Sequence, residues 1–230
     1  MSEICLITIT KNNQADFQQI FLPFAKAHRT EFADIIVVDS SEGQAIADMS
    51  KEAGFSYATA KPGRGLQLSQ GADQAHTNWL LFLHSDTVLS TGWVEIVDTF
   101  LQAEPNEAAV FKLDFNSKGL AARIVAGWAN FRTRVFGLPY GDQGLLVSKT
   151  LYEKVGGFNP HLPLMEDVDL VQRIGSSNIK LLNARAITSA AKYQKSGWFQ
   201  RGLRHLQFFL LYKSGKSASQ IYQDYYNEKR

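Results

Sequence analysis

Several features are scarce in this 230-residue chain, and each scarcity narrows the classes of protein that it fits. A single cysteine, Cys5, excludes an intramolecular disulfide and suits a reducing compartment. No apolar run approaches the roughly 20 residues that a membrane-spanning helix needs. The residues from Met1 to Cys5 lack the basic region that opens a secretory signal. We therefore expect a cytoplasmic protein with an ordinary buried core.

Acidic residues are missing from a long part of the C-terminal half, because no Asp or Glu occurs between Leu170 and Gln223. The cations of this stretch are Arg173, Lys180, Arg185, Lys192, Lys195, Arg201, Arg204, Lys213 and Lys216. Such a stretch attracts anions, for example a nucleotide diphosphate, an acidic lipid or a nucleic acid. A solvated basic surface is the alternative. No recognised nucleic-acid-binding motif accompanies the cations, so we expect no nucleic-acid partner.

Apolar, β-branched runs alternate with segments of helical periodicity in the first half of the chain. This pattern predicts an α/β fold with a mainly parallel sheet. We expect strands at 4–10, 35–38, 55–59, 79–83, 107–115, 145–147 and 180–182, and helices at 66–75, 120–136, 166–174 and 198–212. Because the chain has no internal repeat or linker, we expect a single domain over residues 1–230, with a C-terminal helical extension at 197–230.

Two acids follow predicted strands at the positions where ligands bind in open parallel sheets. Asp39 comes after the strand at 35–38, and Asp86 comes after the strand at 79–83. Between them lies Arg64, which is flanked by glycines and is suited to pair with phosphate. Each acid taken alone could cap a helix or favour a turn. Together with the basic turn, they favour a ligand-binding edge.

Three more acids, Glu166, Asp167 and Asp169, lie within four positions at the start of a predicted helix. Acids complement the macrodipole at a helix N-terminus, by about 0.3–1 kcal/mol each. A carboxylate can equally serve as the base that accepts a proton from a reacting hydroxyl. The cluster itself does not decide between these two roles.

Three blocks of residues, in order along the chain, resemble family 2 glycosyltransferases of the GT-A fold. They are LHSDT at 83–87, GLPYGDQG at 137–144, and a third block that runs from GGF at 156–158 through PLMEDVDL at 163–170. The likeness is greatest to a small bacterial subgroup of that family. It implies a Rossmann-like GT-A fold, a UDP- or GDP-sugar donor, and an inverting transfer to an acceptor hydroxyl, assisted by Mn²⁺ or Mg²⁺.

The resemblance also implies roles for individual residues. It makes Asp86 the metal ligand and Asp167 the base, with Glu166 beside it to orient the acceptor. Asp39 would contact the nucleoside. The other candidates are Thr8, Asn12, Arg64 and Ser85 for the nucleotide, Asp142, Gln143 and Trp198 for the donor sugar or acceptor, and Lys192 for phosphate.

Two other functions fit parts of this pattern. A sugar nucleotidyltransferase has a similar α/β architecture, but it carries a glycine-rich motif with arginine after the first strand, where this chain has Lys11-Asn12-Asn13. A catalytically inactive nucleotide-sugar binding module is the second alternative.

The C-terminal helix combines cations with an apolar face. It could lie on the inner face of an anionic membrane, which would suit a lipid-linked acceptor, or it could pack on the domain and close the donor site.

Overall fold

The computed structural model describes residues 3–104 and 107–227, with side chains described as far as residue 224. Residues 1, 2, 105, 106 and 228–230 of the predicted domain therefore lie outside the described residues. Within the described part, eight strands are present: β1 (Ile4–Thr10), β2 (Asp34–Asp39), β3 (Ser56–Thr59), β4 (Trp79–Phe82), β5 (Thr87–Leu89), β6 (Ala108–Phe115), β7 (Leu145–Ser148) and β8 (Ile179–Thr188).

Helices connect and flank these strands. In the described ranges they are α1 (Gln14–Asp16), α2 (Leu22–Ala27), α3 (Ala45–Glu52), α4 (Arg64–Gln74), α5 (Trp93–Ala103), α6 (Leu120–Phe136), α7 (Lys149–Lys154), α8 (Glu166–Ile174), α9 (Ala191–Ser196), α10 (Trp198–Lys213) and α11 (Ala218–Asn227). A π-helical segment, Phe17–Phe21, joins α1 to α2. Short 3-10 turns lie at Arg29–Glu31, Gly141–Gln143 and Ser176–Asn178. Each of these described helices is too short or too polar to cross a bilayer.

The strands form one sheet in the order β3-β2-β1-β4-β7-β6-β8-β5. The first four strands of this order are parallel, β7 is antiparallel to both of its neighbours, β6 is parallel to β8, and the edge strand β5 is antiparallel. All described strands except β7 and β5 therefore run in the same direction. The predicted α/β fold with a mainly parallel sheet is confirmed.

The central strands are apolar along their whole length because helices cover both faces of the sheet. On one face lie the π-helical segment, α2 and α5, which bury aromatic residues such as Phe17, Phe21 and Trp93. On the other face lie α4, α7 and α8, which contribute residues such as Leu68 and Leu170.

The region predicted as a C-terminal extension contains two helices in its described part, α10 and α11. They meet the segment that precedes α8 in a small apolar cluster of Leu164, Phe208 and Ile221. The division of the chain into a domain and an extension stays a prediction.

Some elements differ from those predicted. The strand predicted at 180–182 extends over Ile179–Thr188, and α5 and β5 were not predicted. The helices predicted at 120–136 and 166–174 have those bounds in the structure.

The carboxyl ends of β1, β2 and β4 meet at one edge of the sheet. Thr10 pairs with Asp39 across β1 and β2, and Ile7 pairs with Phe82 across β1 and β4. The loops that follow these three strands therefore begin side by side, which brings residues distant in sequence to one place.

Candidate active site

Two adjoining cavities open along this edge of the sheet. The smaller one, about 180 Å³, is called the acid pocket here, because Asp86, Asp142, Glu166 and Asp167 line it. The larger one, about 890 Å³, is called the outer cleft. Its lining includes Thr10, Asn12, Asp39, Ser41 and Gln67. Arg64, Leu164 and Lys192 line both cavities, so the two adjoin at two cationic side chains.

Asp39 is the buried carboxylate of the outer cleft, with 2% of its surface exposed. Its Oδ1 accepts hydrogen bonds from the Thr10 hydroxyl (2.7 Å), the Ser41 hydroxyl (2.6 Å) and the Ser41 backbone N–H (2.9 Å). Its Oδ2 accepts one longer bond, from the Tyr57 hydroxyl at 3.3 Å. The Oδ2 atom therefore keeps capacity to accept a further hydrogen bond from a ligand hydroxyl.

Three other predicted nucleotide contacts have different positions. Asn12 lines the outer cleft and has a left-handed backbone, with φ of 51°. Thr8 lies inside β1, fully buried, and lines neither cavity. Ser85 is also buried and accepts a hydrogen bond from the Asn13 side chain, which ties the loop after β1 to the loop after β4. Thr8 and Ser85 are therefore buried away from both cavities, and their assignment to nucleotide binding stays a prediction; Thr10, rather than Thr8, lines the cleft.

Asp86 lies at the end of the loop after β4, where the Lys192 ammonium contacts its Oδ2 at 2.7 Å. The Thr87 and Thr188 hydroxyls donate weaker bonds to its Oδ1, at 3.3 and 3.5 Å. Burial acts to raise the pKa of Asp86, but the charge of Lys192 and these hydrogen bonds outweigh it, so the net pKa is lowered. The carboxyl group is therefore ionised at neutral pH.

Arg64 connects two further groups of the acid pocket. Its Nε contacts Glu166 Oε1 at 2.6 Å, and its Nη2 lies 2.7 Å from His84 Nε2. Arginine can only donate, so His84 accepts through Nε2 and carries its proton on Nδ1. Burial and, next, the charge of Arg64 lower the pKa of His84 to about 4. His84 is therefore neutral, and its Nε2 is already in use.

A close approach at Gly65 holds Arg64 against Glu166. A β-carbon at residue 65 would lie 2.2 Å from the Asn159 carbonyl oxygen and 2.6 Å from that of Leu162. Only glycine lets the chain at 159–162 come this near to the start of α4. Glu166 itself is 1% exposed, and burial, offset in part by Arg64, raises its pKa to about 7.

Asp167 lies in the first turn of α8, with both oxygens turned to backbone N–H groups. Its Oδ2 accepts from Gly141 at 2.7 Å, and its Oδ1 accepts from Val168 at 2.8 Å. These bonds fix the carboxylate at the wall of the acid pocket while leaving lone pairs for a ligand. Asp169, in contrast, faces away and pairs with Arg173 at 2.5 Å, one helical turn later.

Of the predicted sugar contacts, Asp142 lines a cavity, whereas Gln143 and Trp198 line neither of the two. Asp142 lines the acid pocket, where burial raises its pKa to about 6, with Arg132 opposing and Asp167 adding to the shift. Gln143 is fully buried; its amide donates to the Phe111 carbonyl and accepts from Thr133.

Trp198 packs between Phe115 and Tyr193, with ring centroids 4.9 and 5.1 Å away, and lines neither cavity. The side chains of Gln143 and Trp198 therefore contact other protein groups, and their assignment to sugar binding stays a prediction.

The sequence from residue 5 to residue 144 matches the family model described as Glycosyl transferase family 2. The chain belongs to glycosyl transferase family 2. The predicted family is thus confirmed over more than half of the sequence. No curated protein matches the chain significantly.

Solved structures share the fold of this family 2 chain at low sequence identity. TarS of S. aureus (residues 1–349, in complex with UDP) has a TM-score of 0.60 at 17% identity, over 88% of this chain and 63% of TarS. Glucosyl-3-phosphoglycerate synthase from Mycobacterium tuberculosis, in complex with phosphoglyceric acid, has a TM-score of 0.55 at 15% identity, over 82% of this chain and 70% of that one.

GalNAc-T7, crystallised with UDP, GalNAc and Mn²⁺, has a TM-score of 0.59 at 11% identity, over 82% of this chain and 44% of that one. The 63% of the TarS structure that this chain covers is less than two thirds of that structure's length. These likenesses confirm the GT-A fold.

Several residues that line the candidate site were not predicted from the sequence. Thr10, Ser41 and Gln67 line the outer cleft, and Tyr193 and His205 line the acid pocket. The sequence could have indicated Thr10 and Ser41, because Thr10 ends a strand and Ser41 follows Asp39 by two positions. It could not have indicated His205, because His205 reaches the pocket from α10 and its position depends on how α10 packs.

Proposed function

We propose that this chain transfers a sugar from a nucleotide-diphosphate donor to an acceptor hydroxyl. One observation carries the proposal: the acid pocket, with Asp86 and Asp167, adjoins the outer cleft that contains Asp39. A nucleoside would occupy the outer cleft and donate a ribose hydroxyl to Asp39. The diphosphate would lie at the junction, and the sugar would enter the acid pocket. Because TarS and GalNAc-T7 were crystallised with UDP, we favour a uridine nucleotide.

The two cations at the junction suit the diphosphate. Lys192 and Arg64 line both cavities, so a ligand that spans them would pass both side chains. Hydrogen bonds from cationic donors to phosphate are about twice as strong as neutral ones. Lys192 is half-exposed, and among the described residues its ammonium group contacts Asp86, so it is able to turn from that carboxylate to the phosphates.

A divalent metal fits this site when the donor supplies part of its coordination. Among the described residues, no group of three or more His, Cys, Asp or Glu side chains is arranged to hold a metal. Asp86 is ionised, however, and Mg²⁺ often binds one or two carboxylates together with substrate phosphates. Asp86 would hold the ion. When bound, it would neutralise charge that develops on the leaving diphosphate.

Asp167 is the proposed base of an inverting transfer. Inversion requires that the acceptor hydroxyl attack from the side opposite the diphosphate, and a base there removes its proton. The carboxylate of Asp167 is fixed by Gly141 and Val168 and faces the pocket. A positioned base of this kind contributes roughly 10²–10⁴-fold to the rate. Glu166 acts on the site through Arg64, its ion-pair partner, as a positioning residue.

Nucleotide binding tests the proposal directly. We expect UDP and UDP-sugars to raise the thermal unfolding temperature, since a ligand at 1,000 times its Kd adds about 4 kcal/mol of stability. Asp39→Asn should abolish that shift. Asp34→Asn is the matched control, because Asp34 lies at the opposite end of the same strand and lines neither cavity. The absence of a shift with every uridine and guanosine nucleotide would refute the proposal.

A bound nucleotide without turnover would instead favour the inactive binding module. Release of UDP from UDP-sugars, measured in the presence and absence of Mn²⁺, separates these two outcomes.

A further inference from the structure

Helix α6 is apolar on two opposite faces. Its inner row packs on β6 and consists of Ala122, Ala126, Ala129 and Thr133. Its outer row has the same spacing, and its side chains are about half exposed or more: Leu120 (73%), Ile124 (48%), Trp128 (55%), Phe131 (50%) and Val135 (53%). Because 3.6 residues make one turn, the two rows lie on opposite sides of the helix. A surface helix is ordinarily polar on its outer side, so the outer row is unusual.

Helix α10 repeats this arrangement. Phe208 is buried on its inner side. The outer row is again spaced three or four residues apart and is exposed: Phe199 (59%), Leu203 (67%), Leu206 (42%) and Leu210 (57%). The two rows adjoin, because Trp128 of α6 and Leu206 of α10 line the same cavity between the helices. The two outer rows are called the α6–α10 face below.

The two helices of the α6–α10 face carry charges of one sign. No acid occurs from residue 115 to 141 or from 170 to 223, so neither helix carries one. Exposed cations flank the apolar rows: Lys118 and Arg123 near the start of α6, Arg134 near its end, and Lys213 at the end of α10. Anionic lipid headgroups complement such a rim, at about 1 kcal/mol per Lys or Arg near a charged bilayer. A second copy would instead bring like charges together across a two-fold axis.

The α6–α10 face also leads into the proposed catalytic site. A cavity of about 270 Å³ lies between the helices, and its apolar part is lined by Trp128, Phe136, Leu206 and Phe209. At its other end lie Tyr140, Asp142, Tyr193 and His205, which line the acid pocket as well. An apolar chain in this groove would therefore end beside the acid pocket.

We propose that the α6–α10 face docks on the surface of an anionic lipid bilayer. The apolar rows would enter the headgroup–acyl boundary, while the flanking cations contact the lipid phosphates. Docking would turn the groove, and with it the acid pocket, towards the headgroups. Only one consequence rests on the function proposed above: the acceptor would be a hydroxyl carried by a membrane lipid.

Co-sedimentation with vesicles tests this proposal. The chain is mixed with phosphatidylcholine vesicles that contain or lack phosphatidylglycerol, at low and at high salt. We expect binding to the anionic vesicles that weakens as salt rises, because surface charges are screened. The double variant Ile124→Glu/Leu203→Glu should bind at least about tenfold more weakly, because it places charge in both apolar rows. Its thermal unfolding and its response to UDP serve as the check that it folds.

Lys51→Glu is the matched control. It changes the net charge by the same two units as the double variant, at an exposed site on α3 that lies outside the α6–α10 face. Equal binding by the wild type and the double variant would overturn the proposal. The proposal would also be overturned if the wild-type protein did not bind anionic vesicles but formed dimers in sedimentation experiments, and if the double variant did not form these dimers. The vesicles are tested without nucleotide, so this result is independent of whether UDP binds.

Discussion

Asp167 and Asp169 are two residues apart on α8, yet their surroundings differ. Asp167 lines the acid pocket, whereas Asp169 pairs with Arg173 outside it. Asp167→Asn keeps the shape and an oxygen that accepts the Gly141 N–H, but it removes the basic carboxylate. We expect turnover to fall by roughly 10²–10⁴-fold with the UDP-induced thermal shift retained.

Asp169→Asn is the control, and it should keep turnover near the wild-type rate. The helix pair with Arg173 that it removes contributes only about 0.3–0.5 kcal/mol. Equal turnover of the wild type and the Asp167 variant would eliminate Asp167 as the base.

Glu166 predicts a pH dependence of stability. Its pKa is raised from 4.5 to about 7, so between these values the folded state binds more protons at this site than the unfolded state. Stability from this group is therefore present at low pH and falls as pH rises through that window, by at most about 1.4 kcal/mol per pH unit. The Glu166→Gln variant lacks the effect.

Urea unfolding of both proteins at about pH 5 and about pH 8 measures it, and the wild type should lose stability relative to Glu166→Gln as pH rises. His84, whose pKa is lowered to about 4, acts with the opposite sign between that value and 6.5. Because His84 is present in both proteins, its contribution largely cancels in the comparison. A constant difference across this range would contradict the raised pKa of Glu166.

The sequence indicated which acids share the site more reliably than which neutral side chains do. Asp39, Asp86 and Asp167 were predictable because strand ends and a helix start place them at the sheet edge. Gln143 was not, because its partners, Thr133 and the Phe111 carbonyl, come from α6 and β6. The local sequence does not distinguish a glutamine whose amide bonds to buried protein groups from one whose amide faces a ligand.

At the scale of elements, the turn Gly141–Gln143 is fitted against α4, α8 and the loop after β4. A β-carbon at Gly141 would lie 2.9 Å from His84 Nε2 and 3.1 Å from Arg64 Nη2. Gly141→Ala must therefore displace these side chains or the turn, and overpacking of this kind costs about 1–3 kcal/mol. We expect a lower unfolding temperature, and slower turnover because Gly141 also holds Asp167.

Gly127→Ala is the control for that substitution. Gly127 lies within α6, and a β-carbon there would have no neighbour within 4 Å. It should stabilise the protein by about 0.5–1 kcal/mol, since alanine favours a helix over glycine. Equal unfolding temperatures for the Gly141 variant and the wild type would show that the turn adjusts without cost.

Elements were predictable where large apolar residues set the period. β1 is rich in β-branched residues, β4 is a continuous apolar run, and α6 and α8 have clear helical spacing. β8 was predicted too short because the inward residues of its second half are the small Ala184 and Ala186, with exposed Asn183 and Arg185 between them. Its full length comes from pairing with β6, which lies far away in sequence.

For the molecule as a whole, the acidic and the basic side chains lie in two regions, the proposed catalytic site and the proposed membrane-docking face. Carboxylates gather at the edge formed by β1, β2 and β4, whereas cations flank the apolar rows of the α6–α10 face. Lys192 joins the two groups, because it comes from the acid-free stretch and contacts Asp86. In the absence of a ligand, the Lys192 ammonium group neutralises the negative charge of Asp86, which a metal ion would need for binding.

This pairing predicts that metal and nucleotide bind together. Mn²⁺ alone must displace Lys192 from one carboxylate, whereas a diphosphate offers Lys192 a new partner and gives the ion further oxygen ligands. Isothermal titration with Mn²⁺ should give little heat alone and saturable binding in the presence of UDP, and Asp86→Asn should abolish that binding.

The Lys192→Met variant should bind UDP more weakly and Mn²⁺ alone more tightly than the wild type does. It should weaken UDP binding by about tenfold or more, since a hydrogen bond to a charged group contributes about 1.5–3 kcal/mol. It should also strengthen the binding of Mn²⁺ alone, because Asp86 then has no ammonium partner. Saturable binding of Mn²⁺ to the wild type without nucleotide, lost in Asp86→Asn, would show that the Lys192–Asp86 pair does not control access to the site.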